Sequence, residues 1–155
     1  MASGDIIFAA DFGTPVSDSE TTDEAAFTDT AYVPGGNPCG TSFTAPTSGI
    51  VIIFFGVRFQ SNTNNVGAIV SVSVRTGSTL GSGTIISGSN DDSAIENLRP
   101  VTGGVQSRMQ CSRHRLVTGL TPGAIYNVQV EHKMVSAGNG SVFYRDVAVL
   151  PVAVG

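Results

Sequence analysis

Charged side chains are scarce: Asp, Glu, Lys and Arg make up 13% of the 155 residues, against roughly 25% in an ordinary soluble domain. That excludes a surface of long, ion-paired helices and leaves Ser, Thr, Asn and Gly to cover the outside. These residues favour turns, sheet edges and protein contact. Positive charge is missing altogether before Arg58, whereas Asp5, Asp11, Asp18, Glu20, Asp23, Glu24 and Asp29 precede it. From Arg58 onward eight basic side chains face five acidic ones. The two parts attract each other, within one chain or between copies, unless the acidic stretch is simply a solvated linker.

Long apolar runs are also missing. None approaches the ~18 residues of a membrane span, and Met1-Ala-Ser-Gly-Asp5 has neither the basic nor the apolar region of a secretory signal. The expectation is a protein without a membrane or export step. Two cysteines, Cys39 and Cys111, cannot complete a zinc site and do not make a disulfide framework. Buried free thiols are expected, with a Cys39 to Cys111 bridge as the alternative.

Catalytic signatures are absent: the chain contains no HExxH, GxSxG, Walker A or GxGxxG pattern. His114 sits among arginines in Ser112-Arg113-His114-Arg115, and His132 falls on the apolar face of a strand pattern. A lone histidine there reads as a core residue rather than a general base. Asn90, Asp91, Asp92 and Glu96 offer oxygen ligands for Ca²⁺ but lack the ordered spacing of a calcium loop. No enzyme, cofactor or metal is expected.

What the chain does have is strand pattern punctuated by turns. Residues 49–59 form the most apolar run, β-branched and aromatic, which predicts a central strand buried on both faces at its start. Val70, Val72 and Val74 alternate with Ser71, Ser73 and Arg75. Tyr126, Val128, Val130, His132 and Met134 alternate with Asn127, Gln129, Glu131 and Lys133. Both patterns predict half-exposed strands. Further candidates lie at 26–33, 84–87, 94–98, 105–117 and 141–149, separated by clusters such as Pro34-Gly35-Gly36-Asn37-Pro38. About eight strands without helical periodicity predict an all-β fold, an antiparallel β-sandwich or jelly roll. Residues 1–29 read as an extended arm, with an apolar tip at Ile6, Ile7, Phe8 and Phe12 on an acidic tether, and 30–155 as the sandwich domain.

Ser42-Phe43-Thr44-Ala45-Pro46-Thr47-Ser48-Gly49-Ile50 resembles the F-x-A-P-x-x-G opening of C1q/TNF-like jelly rolls. Leu120-Thr121-Pro122-Gly123-Ala124-Ile125-Tyr126-Asn127-Val128 is similar to that family's entry into a late strand, and Phe143 with residues 147–149 to its closing strand. The resemblance spans about residues 41–149 and implies association as a homotrimer around an apolar axis. The low charge and acidic arm also resemble the decoration, or cement, proteins of tailed-bacteriophage capsids. By that analogy the chain is a non-enzymatic virion structural protein. It would be made in the host cytoplasm and bound to the outer capsid surface through the major capsid protein or another virion protein, without nucleic acid. The residues expected to meet a partner are Ile6, Ile7, Phe8 and Phe12 of the arm and the cluster Arg108, Arg113 and Arg115. The alternative is a receptor- or glycan-binding module of a phage tail or cell surface, using loops at one end of the sandwich.

Overall fold

The computed structural model describes residues 13–63, 66–97 and 108–153. Ten strands follow one another among them: β1 Val16–Glu20, β2 Glu24–Phe27, β3 Gly40–Thr44, β4 Val51–Ser61, β5 Ala68–Thr76, β6 Ile85–Ser87, β7 Ile95–Asn97, β8 Arg108–Val117, β9 Ile125–Met134 and β10 Gly140–Pro151. A single 3-10 turn, Asp91–Ser93, separates β6 from β7. The first sheet runs β1-β10-β4-β8, with β2 also on β10, and the second runs β3-β9-β5, with β6 and β7 along the other edge of β5. Every pairing is antiparallel. This is the antiparallel sandwich of a jelly roll, as the alternation predicts.

The core lies between the sheets. Val51, Ile53, Phe55, Val57 and Phe59 of β4, with Val142, Val147 and Val149 of β10, close one side. Val70, Val72 and Val74 of β5 and Tyr126, Val128, Val130 and Met134 of β9 close the other. Each large apolar side chain so buried stabilises the fold by about 1.5–3 kcal/mol before entropy is counted.

Three expectations are corrected. First, residues 16–27, read as tether, belong to the sandwich: β1 pairs along β10 from Val16↔Val149 to Glu20↔Arg145, and β2 follows on the same strand. Its polar sequence hides it, because ladder bonds and the Asp18 carboxylate, which accepts from Gly40 N at 2.9 Å, hold β1 in place of apolar alternation. Second, the candidate at 26–33 is reduced to the end of β2 and an isolated bridge from Val33 to His132.

Third, exposure on the outer faces departs from the sequence patterns of β5, β9 and the start of β4. Ser71, Ser73, Asn127, Gln129 and Glu131, expected in water, are buried, because residues 77–93 cross the outside of the second sheet. Asn127 Nδ2 donates to the carbonyls of Gly77 (3.0 Å) and Ser82 (3.2 Å), and its oxygen accepts from Gly81 N (3.2 Å). Glu131 accepts from the hydroxyls of Ser73 (2.8 Å) and Ser89 (2.6 Å). At Ser73, Asn127 and Glu131 the polar stripe is thus a hydrogen-bonding layer beneath a cover, which is how buried polar groups persist, whereas the Ser71 hydroxyl has no partner among the described residues. Conversely β4, expected to be buried on both faces at its start, leaves Ile52 half-buried and Phe54 43% exposed.

Candidate assembly face

The outer face of the first sheet is ordered in rows across β8, β4 and β10. The register gives Leu116-Ile52-Leu150, then His114-Phe54-Ala148, then Ser112-Gly56-Asp146, then Gln110-Arg58-Tyr144. Polarity therefore changes along the strands from apolar to cationic. At the apolar end Leu116 is 59% and Leu150 41% exposed beside Phe54, whose ring centre lies 5.9 Å from that of His114. Large apolar groups clustered in water mark a contact surface.

In the middle row Gly56 leaves room for the Asp146 carboxylate, which lies over it where a Cβ would be. Burial pushes the Asp146 carboxyl up from its ordinary value. At the far end a shallow pocket of about 310 Å³ is lined by Thr21, Arg58, Gln110, Phe143 and Tyr144. The register of β10 shifts between Val142 and Tyr144, so Phe143 sits at a bulge. A larger hollow, about 470 Å³, beside Gly13, Phe43 and Pro46 carries no charged side chain.

The expected arginine cluster is divided between two faces. Arg113 and Arg115 stand in register with the inward residues Phe55 and Ile53, and because β8 is an edge strand they reach across the open side of the sandwich. Arg113 donates to the carbonyls of Ala94 (2.6 Å) and Asp92 (2.8 Å), and Arg115 to those of Val72 (3.0 Å) and Gly88 (2.9 Å). Both tie the second sheet's cover to the first sheet. Burial lowers the pKa of Arg115. Arg108 faces the other way and meets Phe143. Ile6, Ile7, Phe8 and Phe12 lie outside the described residues.

The attraction between the acidic and basic parts is realised inside one chain. Glu24 of β2 reaches the wholly buried Arg145 at 3.1 Å, with His132 Nε2 3.7 Å from its other oxygen. Both ring nitrogens of His132 lack a hydrogen-bond partner among the described residues, and the Phe27 ring centre is 4.3 Å away. Desolvation lowers the His132 pKa; Glu24 opposes the shift and Arg145 adds to it, while Asp29 and Glu131 oppose it more weakly. As pH falls below about 6.5 the unfolded chain takes up this proton before the folded one, so stability is whole above that pH and declines as pH approaches the folded value. Unfolding measured from pH 7.5 to 5 should show this acid loss in wild type but not in His132→Leu. A constant difference between the two would rule out His132 as the group responsible.

Among the described residues no group of three His, Cys, Asp or Glu side chains could hold a metal ion. Asp91 accepts from Tyr32 and Lys133. Both cysteines are free thiols, Cys39 buried and Cys111 half-buried, and burial pushes the Cys39 pKa up to about 12. No described helix is long and apolar enough to cross a membrane.

No family model and no curated protein matches the sequence. Among solved structures the chain is similar to Eiger TNF from S. frugiperda, with 6% identity over 91% of this chain and 94% of that one, at a TM-score of 0.53. It is also similar to part of an infectious bursal disease virus (Gt strain) chain, with 10% identity over 90% of this chain and 33% of that one, at a TM-score of 0.49. The first likeness is one of fold alone, a β jelly roll.

Proposed function

We propose that this chain is a non-enzymatic structural protein that works by self-assembly, as a homotrimer decorating the outside of a virion capsid and bridging its shell subunits. The observation that supports this most directly is the exposed apolar end of the first sheet, where Ile52, Phe54, Leu116 and Leu150 sit side by side. The outer face of the second sheet is covered by the chain's own residues 77–93, which expose Ile85 and Ile86, whereas the first sheet presents its own apolar rows directly to a neighbour. Low charge leaves few ions to desolvate when copies meet. A trimer that touches several shell subunits at once would hold them through many modest contacts.

Light scattering at micromolar concentration tests the assembly. Wild type should weigh three chains, and Phe54→Asp with Leu116→Asp should weigh one while keeping its melting temperature. A single-chain mass for wild type overturns the reading. Attachment to a shell is tested separately by removing residues 1–12, which leaves β1 and β2 whole. The truncated trimers should no longer attach, and unimpaired attachment would remove the arm from the proposal. The second reading, a glycan- or receptor-binding module, is supported by the pocket at the cationic end of the same face.

A further inference from the structure

We infer that the pocket at the Arg58 end of the first sheet binds a carboxylated sugar residue of an acidic polysaccharide. The site is built by register. Gln110, Arg58 and Tyr144 form one row across three neighbouring strands, about 10 Å from first to last at ordinary strand spacing, with Thr21 and Phe143 completing the lining. The Arg108 guanidinium lies 4.2 Å and that of Arg58 5.7 Å from the Phe143 ring centre. Ring and cations attract, which fixes two guanidinium groups around one aromatic side chain.

Neither arginine forms an ion pair among the described residues. Arg108 has a long bond from Nε to Gln60 at 3.3 Å, and Arg58 is exposed. Two close cations repel, and a planar carboxylate relieves this while accepting paired N–H donors. Asp146 on the same face is one row away over Gly56, so it repels a second negative group and turns the ligand's carboxylate toward the arginines.

The rest of the lining distinguishes a sugar from other anions. The Tyr144 ring offers an apolar face for sugar C–H groups, and the Gln110 amide, Thr21 hydroxyl and Tyr144 hydroxyl supply donors and acceptors for ring hydroxyls. An acidic peptide would satisfy the arginines and leave these groups idle. A volume of about 310 Å³ is at the small end of ligand pockets and suits one ring. The open sheet surface lets a polymer continue on either side. The inference stands independently of the trimer, although both use the same sheet face.

The test is NMR titration of the full chain with tri-galacturonate, its methyl ester, acetate and a tri-glutamate peptide. Tri-galacturonate should shift the amides of residues 58, 110 and 144 saturably. Its uncharged ester should bind at least about tenfold more weakly, and acetate and tri-glutamate likewise. Arg58→Gln and Tyr144→Ala should each lose about tenfold or more, while Lys133→Gln on the other sheet changes nothing. Equal binding of ester and acid, or of acetate or tri-glutamate and the sugar acid, overturns the proposal, as does no saturable shift. Binding seen only in the dispersed Phe54→Asp/Leu116→Asp protein also overturns it, because the assembled molecule would then have no open pocket.

Discussion

Replacing Glu24 with alanine should cost about 3–4 kcal/mol of stability, the largest loss from any single substitution outside the apolar core. Arg145 is wholly buried and Glu24, a fifth exposed, is its ion-pair partner at 3.1 Å. Its Nη2 also donates to the Thr22 carbonyl at 3.5 Å, and among the described residues its Nε has no hydrogen-bond partner. Removing the carboxylate strands a guanidinium in the interior, and breaking such a pair on one side typically costs 3–5 kcal/mol; partial exposure of Glu24 places this case in the lower part of the range. The loss extends to β2, because Glu24 also accepts from Gly36 N at 3.2 Å. Ala26, two residues on, holds a φ of +59°, a conformation costing a non-glycine residue about 1–2 kcal/mol. Urea unfolding of Glu24→Ala and of Glu24→Ala with Arg145→Met separates the causes. The double variant should recover much of the stability, because no buried charge is left alone. A single-variant loss below about 1 kcal/mol would mean that water reaches Arg145 from the β2 edge.

What the sequence pattern reveals follows from how each strand is held. Strands β4, β5, β9 and β10 are carried by apolar alternation and can be read directly from residues such as Val70, Val72 and Val74. Strand β1 cannot, since Val16-Ser17-Asp18-Ser19-Glu20 has one apolar residue and is held by its neighbour's backbone and by Asp18. Alternation also identifies which residues share a face but not what covers it. Ser71 and Asn127 share the polar pattern of a wet face and are buried under residues 77–93, which no local periodicity announces. The apolar Ile52 and Phe54 share the pattern of a covered face, yet Ile52 is only half-buried and Phe54 stands exposed. For the same reason the arginines separate. Arg113 and Arg115 lie five and seven positions from Arg108 along β8, and these odd separations send them toward backbone carbonyls on the inner side rather than outward to Phe143.

The resemblance to C1q/TNF-like jelly rolls rests on residues that meet in space, and this leads to the second large effect. Phe43 and Tyr126 are in register on β3 and β9, with ring centres 5.9 Å apart. The Tyr126 hydroxyl accepts from Thr121 N at 3.0 Å, so one aromatic pair links both motif stretches. Gly49 closes the turn from Pro46, donating to its carbonyl at 2.9 Å, and its own carbonyl accepts from Leu120 N at 3.1 Å. Its φ is +65°, and a Cβ there would run into the Leu120 carbonyl oxygen. Gly119 has a similar φ of +77° with open space around it, which makes it the control for backbone strain alone. Gly119→Ala should cost about 1–2 kcal/mol. Gly49→Ala should cost about 3 kcal/mol, because displacing the Leu120 carbonyl also weakens the bond that joins the two stretches. Equal losses in urea unfolding would show that the backbone at Leu120 gives way freely, and the A-P-x-x-G turn would then owe its glycine to φ alone.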